Sequence, residues 1–187
     1  LSALPLAERG GERRPCGAER GVNSEKIGAT RLTFHGTVWP ASIVGRGDEY
    51  YEILKREAAR WGEEVWVRDG NAFDTVPPGA ARLGIDPERI LEMMRRKIEA
   101  HALPNLWIVQ NGGGIETCGG ITAGINEMLL QGHEGVLRIF PCWPRSRDAR
   151  FASLRAWDAF LVSAELANGA VRRARILSEK GRPCRVE

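Results

Sequence analysis

Apolar residues recur with two different periods along this chain, and the period changes near residue 135. Before that point they recur every three or four positions, which is the spacing of one face of a helix. After it they recur at every second position, which is typical of a strand with one buried face. The pattern therefore predicts helices first and strands last.

Three segments carry the helical spacing. The first helix is predicted within residues 46–64, with Asp48 as its N-cap and Gly62 as its stop signal. The second begins with Asp86 as the N-cap and Pro87 in the first turn, a strong start signal. Their apolar faces are predicted to contain Tyr51, Leu54, Ala58 and Trp61 in the first helix and Leu91, Met94 and Ile98 in the second.

The third helix is predicted at about residues 122–132, with Thr122 as its N-cap and Ile125, Met128 and Leu129 on its buried face. A glycine-rich loop, "GGGIETCGG" at residues 112–120, precedes it. Residues 1–30 lack a regular period and are predicted to form a loop. A long connection at residues 65–84, broken by prolines and glycines, is expected to hold one short helix after its prolines.

The strand signals lie in the C-terminal part. Residues 136–140 read "VLRIF", and residues 160–177 surround Asn168-Gly169, the strongest short-range signal for a hairpin. Phe160, Val162, Ala164 and Leu166 alternate on what is predicted to be the buried face. A strand-like "CRVE" occupies residues 184–187.

Composition narrows the possible classes of function. Hydrophobic residues make up 43% of the chain and charged residues 27%, which is enough to form a buried core. The net charge is only +3 and the charges are interspersed, so we expect neither a nucleic-acid partner nor a membrane surface. No apolar run approaches the length of a transmembrane helix.

The sequence carries no signal for a metal or a cofactor. Its four cysteines are far apart and form no CxxC motif, so no zinc site is expected, and free thiols are favoured over a disulfide framework. The glycine-rich loop lacks the Lys-Ser/Thr pair of a phosphate-binding loop. We therefore expect no cofactor.

Glu116 is the main candidate for chemistry, because it lies in the glycine-rich loop just ahead of a predicted helix. The helix dipole and free amides would stabilise a carboxylate there, and the glycines would let a ligand approach closely. The alternative is a solvated or helix-capping carboxylate, which on composition alone is favoured. Cys118 is a weaker candidate as a nucleophile, because that role needs a histidine nearby and none is adjacent in sequence.

The segment from Thr122 to Pro144 resembles the end of the catalytic domain of glycoside hydrolase family 95, the α-L-fucosidase family. There a loop with an aspartate leads into a Thr-Ala-Gly-Ile helix that continues as Glu-Met-Leu-Leu-Gln, and a strand ending in Pro-x-x-Pro follows. The matching residues here are Thr122, Ala123, Gly124, Ile125, Glu127, Met128, Leu129, Leu130, Gln131, Gly135, Pro141 and Pro144. "LPNLWIVQNGGGIE" and "SEKGRPCRV" are also similar to parts of the family.

The resemblance implies a fold that is mainly α with a C-terminal β part. Residues 1–135 would be the C-terminal portion of an (α/α)6 barrel, and residues 136–187 the start of an antiparallel β domain. The first helices of the barrel would then lie outside this chain.

The resemblance also implies an inverting hydrolase that acts on α-L-fucosidic or related bonds, with a carbohydrate as its substrate. Glu116 would replace the family's loop aspartate and polarise the attacking water. Asn111, Trp107 and His133 would bind the sugar, although core packing for Trp107 and a surface position for His133 are the simpler interpretations. The general acid would lie outside this chain, so we expect the isolated chain to be inactive. The alternative is a non-catalytic carbohydrate-binding or structural remnant.

Overall fold

The structure, a computed structural model, describes residues 6–15, 36–67, 75–109 and 115–187. In this part of the chain the helices are α1 (Gly36–Val38), α2 (Glu49–Ala59), α3 (Glu63–Val67), α4 (Val76–Arg82), α5 (Pro87–His101) and α6 (Ile115–Leu129). The strands are β1 (Leu6–Arg9), β2 (Glu12–Pro15), β3 (Leu130–Gln131), β4 (Val136–Ile139), β5 (Ala149–Ala156), β6 (Phe160–Ala167), β7 (Ala170–Ser178) and β8 (Arg185–Val186). Two single turns of 3-10 helix, His133–Gly135 and Trp157–Ala159, lead into β4 and β6.

The strands form three small sheets. β1 and β2 pair as an antiparallel hairpin. β4 lies between β3, to which it is antiparallel, and β8, to which it is parallel. β5, β6 and β7 form an antiparallel sheet in that order. Strands therefore occur at both ends of the described chain.

The prediction of a mainly α fold built on an (α/α)6 barrel fragment is wrong. The chain is a small mixed α/β domain, with 42% of its structure helical and 27% in strands. Three of the described helices, α1, α3 and α4, have only three, five and seven residues. The mainly α expectation came from the resemblance, whereas the described chain has strands at both ends and only three helices longer than seven residues.

The N-terminal hairpin is the element that the sequence pattern missed. Residues 6–15 lie in the stretch predicted as a loop, yet they form β1 and β2 around Gly10 and Gly11. Both glycines have positive φ, +60° and +78°, which the two-residue turn of a hairpin requires. The strands contain mostly charged residues, so they show no alternation of apolar and polar positions.

The predicted starts of the first two long helices are confirmed. The Asp48 carboxylate accepts a hydrogen bond of 2.8 Å from the backbone N–H of Tyr50, and the Asp86 carboxylate accepts one of 3.3 Å from Glu88. The end predicted at Gly62 is wrong, because α2 ends at Ala59 and Gly62 lies just before α3.

The buried face of α5 differs from the predicted one. Met94 is buried as expected, but its buried neighbours are Ile90 and Lys97, whereas Ile98 is 38% exposed. α5 packs against α4, the short helix expected after the prolines, and against α3, which the sequence pattern did not predict, and these two contacts set its buried face.

α6 begins seven residues earlier than predicted, at Ile115 instead of after Thr122. Thr122 is therefore an interior residue and not an N-cap, and its hydroxyl donates to the carbonyl of Cys118, 2.9 Å away. Such a bond to the preceding turn is common for a threonine inside a helix. Most of the predicted glycine-rich loop that the structure describes is thus the first part of a helix.

Close packing of α4 on α6 explains why a glycine stands in the middle of this helix. A Cβ atom at Gly124 would lie 2.6 Å from the Cβ of Pro77 and 3.2 Å from the sulfur of Met94. Glycine inside a helix costs about 1 kcal/mol relative to alanine, so the contact with α4 has to compensate for it. The two prolines at the start of α4 also fit this position, since the first turn of a helix tolerates them.

The strand predictions for the C-terminal part are confirmed. β4 covers most of the predicted residues 136–140, and β6 and β7 join through Asn168 and Gly169, both at positive φ. Phe160, Val162, Ala164 and Leu166 are all buried, as the alternation predicted.

Two buried hydrophobic clusters make up the core. One holds residues of the helices, including Ile90 and Met128, and the other holds residues of the strands, including Phe140 and Val162. Trp143 packs against both clusters, and it follows β4 in the chain. The domain division after residue 135 stays a prediction.

The tight contact between α4 and α6 gives a testable expectation. Gly124→Ala should lower the free energy of unfolding by about 1–3 kcal/mol, because the added methyl group has no room against Pro77. The matched control is Gly119→Ala in the same helix, where a Cβ would meet no atom within 4 Å. That variant should be neutral or stabilised by up to about 1 kcal/mol. Urea unfolding of both variants measures the difference, and equal effects would contradict the packing.

Candidate functional site

Glu116 lies in the first turn of α6, and its side chain is exposed. The free N–H groups and the dipole of a helix N-terminus favour a negative charge at this position. The residue before it, Ile115, is 67% exposed. Glu116 is thus a carboxylate that solvent and a ligand can reach, at the start of a helix instead of in a loop.

A tight turn at residues 102–109 lies next to this helix start. The backbone of Leu103 bonds to Trp107 and to Leu106, and an isolated bridge joins Ala102 to Ile108. Ile108 is 3% exposed and anchors the turn in the protein. The remaining residues of the turn are consequently held in a fixed arrangement.

Cys118 links the turn to α6, because its sulfur lies 3.8 Å from the carbonyl oxygen of Leu106. Cys118 lies two residues after Glu116 on α6, and residues two apart on a helix do not face each other, so this contact joins the turn to a different side of the helix from Glu116. Trp107 is 41% exposed, in contrast to the core packing considered for it. The large exposed apolar residues on these two segments are Leu103, Leu106, Trp107, Val109 and Ile115.

The two histidines that the structure describes, His101 and His133, have other surroundings and do not act as a base for Cys118. The ring Nε2 of His101 bonds to the carbonyl of Val67 at 2.8 Å, and His133 is buried beyond the other end of α6. A nucleophilic thiol needs a base within hydrogen-bond reach. The positions of these two histidines therefore give no support to a nucleophilic role for Cys118.

Two residues that bear on the site lie outside the described residues. They are Asn111, one of the three predicted sugar ligands, and His35, the third histidine of the chain.

His133 is separated from Glu116 by almost the whole length of α6. The thirteen steps along the helix from Glu116 to Leu129 rise about 20 Å at 1.5 Å per residue. His133 is 3% exposed, so it is neither the surface residue nor the rim residue that the sequence suggested. The Trp107 turn contacts α6 at Cys118, near the helix start that carries Glu116, whereas His133 lies in a different environment.

The environment of His133 is centred on the carboxylate of Glu134. One oxygen of its carboxylate accepts the backbone N–H of Arg46 at 2.8 Å, and the other lies 2.8 Å from Arg138 Nη1 and 3.6 Å from His133 Nε2. A Cβ at Gly45 would lie 1.7 Å from this carboxylate, so a side chain there would displace the carboxylate from its position. Glu134 itself has a φ of +62°, a backbone conformation that is costly for a residue with a side chain.

Burial lowers the pKa of His133 to about 4, because desolvation disfavours its charged form. The positive charges of Arg82, Arg138 and Arg46 lower this pKa further, while Glu134 opposes them. His133 Nδ1 is buried without a hydrogen-bond partner among the described residues. Near neutral pH this histidine is therefore uncharged.

Arg82, at the end of α4, connects this environment to α6. It is 5% exposed and binds Glu127 in a bidentate ion pair, with both N–O distances at 2.8 Å. Its third nitrogen donates to the carbonyl of Val38 and to the hydroxyl of Ser42. Sequence analysis named neither Arg82 nor Arg138 nor Glu134, because each lies in a short element whose burial the sequence does not reveal.

The described residues contain no group of three or more histidine, cysteine, aspartate and glutamate side chains that could hold a metal ion. None of the helices in the described ranges is long and apolar enough to cross a membrane. Comparison with known proteins adds no family to these observations, since no protein-family model matches the chain and no curated protein matches it significantly. The resemblance to glycoside hydrolase family 95 stays a prediction.

The buried state of His133 predicts a pH dependence of stability. Its pKa is about 4 in the folded chain and about 6.5 when unfolded, so the unfolded state binds more protons between these values. The contribution of His133 to the free energy of unfolding should be fully present above pH 6.5. It should fall as the pH decreases, by about 2 kcal/mol between pH 7 and pH 5. Urea unfolding at several pH values measures this. His133→Gln should remove most of that slope, and an unchanged slope in the variant would contradict the assignment.

Proposed function

We propose that this chain is part of a glycoside hydrolase that resembles family 95 and cleaves α-L-fucosidic or related bonds by inversion. The observation that supports the proposal is the exposed carboxylate of Glu116 in the first turn of α6. The exposed Trp107 lies on a turn that contacts the same helix at Cys118. Together they offer one anionic acceptor and one flat apolar surface. A sugar ring presents hydroxyl groups at its edge and C–H groups on its face, and it matches such a pair.

In the proposed reaction Glu116 acts as the base. Its carboxylate takes a proton from a water molecule whose oxygen attacks the anomeric carbon, while the bond from that carbon to the leaving oxygen breaks. A second carboxyl group protonates the leaving oxygen, and inversion requires the two groups to be about 6.5–9.5 Å apart. We assign the second group to residues outside this chain. Trp107 holds the sugar ring, and the predicted role of Asn111 is to orient the hydroxyls or the water.

His133 has no direct part in this proposal, because it follows the far end of α6, which lies about 20 Å along the helix from Glu116. Its role is structural: it is buried beside Glu134 at the junction between α6 and β4. The proposed site therefore consists of Glu116, Trp107 and Asn111.

The second candidate is carbohydrate binding without catalysis. It is favoured by the open position of Glu116, since a carboxylate in the first turn of a helix can accept sugar hydroxyls without a partner acid. The two candidates predict different kinetic and binding effects for the same substitution.

The test is Glu116→Gln in the complete protein that contains this segment, assayed on an aryl α-L-fucoside. If Glu116 is the base, kcat should fall by about 100-fold or more with little change in KM, because general-base catalysis contributes about 10²–10⁴ in rate. The matched control is Glu52→Gln, which changes another exposed glutamate in the first turn of a helix and should leave kcat unchanged. The 187-residue chain alone should release no product.

Unchanged turnover in Glu116→Gln, with folding intact by circular dichroism, would rule out the catalytic role. A weaker affinity for the sugar with no loss of kcat would favour the binding role instead. Hydrolysis by the 187-residue chain alone would contradict the assignment of the acid to residues outside it.

A further inference from the structure

The outer face of the β5–β6–β7 sheet contains a hollow of about 260 Å³. This hollow, called the arginine groove below, is lined by Arg150, Phe151, Ala152, Ser163, Ala164, Glu165, Arg173 and Arg175. The opposite face of the sheet is buried in the strand cluster, as Val162 and Leu166 show. The groove is therefore an exposed surface on a rigid support.

The strand register places the charged residues in two rows. Glu165 lies between Arg150 and Arg173 across the sheet, and Arg175 lies opposite Ser163. Neighbouring strands are about 4.8 Å apart, and residues two positions apart on one strand are separated by about 7 Å. The guanidinium groups of Arg173 and Arg175 can therefore reach the same small anionic group.

The arginines of the groove differ from several other arginines near this sheet, which have carboxylate partners. These ion pairs are Arg147–Glu88, Arg155–Glu179 and Arg182–Asp158, while Arg172 donates to the carbonyl of Ala167. Arg150, Arg173 and Arg175 make no ion pair or side-chain hydrogen bond with any residue in the described ranges. Their hydrogen-bond donors are thus available to a ligand.

Ser163 adds one more donor to the groove. Its oxygen accepts the backbone N–H of Ser153 at 2.9 Å, where the β5–β6 register is irregular. Because that bond uses the oxygen as an acceptor, the hydroxyl hydrogen is left to point toward a ligand. Three guanidinium groups and one hydroxyl favour an oxyanion such as a sulfate or a carboxylate.

A second hollow adjoins the groove and carries the opposite charge. It shares Arg150 and Glu165 with the groove and adds Asp148, whose carboxylate accepts the backbone N–H of Asn168 at 2.9 Å. Carboxylates at this end can accept hydrogen bonds from hydroxyl groups. The surface therefore suits a ligand that has an anionic group at one end and hydroxyl groups at the other.

We propose that this face binds an acidic saccharide, with its sulfate or carboxylate over Arg173 and Arg175 and its hydroxyl groups toward Glu165 and Asp148. A nucleic acid fits less well, because the exposed lining offers no aromatic ring for base stacking and Glu165 would repel a continuous row of phosphates. The binding site lies on a different element from Glu116 and does not depend on hydrolysis. It gives the chain a second saccharide contact, away from the proposed reaction.

The test measures binding to the 187-residue chain by isothermal titration calorimetry. The ligands are a sulfated oligosaccharide, an oligomer of uronic acid, a neutral oligosaccharide of the same length and oligothymidylate. Either acidic saccharide should bind, the tighter of the two identifies the anionic group, and the neutral one should not bind detectably. The double variant Arg173→Gln/Arg175→Gln should weaken binding by about tenfold or more, because it removes two charge-assisted contacts.

The matched control is Arg155→Gln/Arg182→Gln, which removes the same charge from two arginines that already have carboxylate partners. It should change the affinity by less than about twofold. The groove pair lies on β7 and Glu116 lies on α6, so loss of binding in the groove pair, with Glu116 intact, separates the groove from the proposed catalytic site. The proposal is overturned if neither acidic saccharide binds, if oligothymidylate binds as tightly, or if the control pair loses as much affinity as the groove pair.

Discussion

The buried ion pair between Arg82 and Glu127 is the interaction on which the rest of the helical part depends. A charge removed from water is costly unless it is paired and hydrogen-bonded, and Arg82 satisfies this condition through Glu127, Val38 and Ser42. The backbone carbonyl of Arg82 also accepts the hydroxyl of Tyr51 from α2, at 3.0 Å. One residue thus fixes α4 against α2, α6 and the segment after α1.

This constraint determines what each end of α6 can do. Glu127 lies near the C-terminal end of the helix, where Gln131 also donates to the carbonyl of Ala81. That end is held in the core, next to the buried Arg138 and its partly exposed partner Glu134. The N-terminal end is exposed, presents Glu116 to solvent and contacts the Trp107 turn through Cys118. A helix with one anchored end and one exposed end is a suitable support for a reactive group, because the support does not move with the ligand.

The sequence predicts the elements that depend on local signals. The N-caps at Asp48 and Asp86 and the Asn168-Gly169 hairpin follow from local hydrogen bonding and backbone geometry, and all three are confirmed. Features that depend on distant contacts were not predicted. The early start of α6 lies in a glycine-rich stretch without helical spacing, the charged β1–β2 hairpin has no apolar alternation, and the burial of His133 results from packing at the β4 junction. Of the candidate site, Glu116 and Trp107 could be named from sequence, but Arg82 and the arginine groove required the fold.

The most direct test of the central role of Arg82 is a double-mutant cycle with Arg82→Met and Glu127→Leu, followed by urea unfolding. Each single substitution should cost about 3–5 kcal/mol, because Glu127→Leu leaves a buried charge unpaired and Arg82→Met does the same to Glu127. The double variant should cost no more than the larger single one, since neither charge then remains. Single costs below about 1 kcal/mol that simply add in the double variant would contradict the role of this pair.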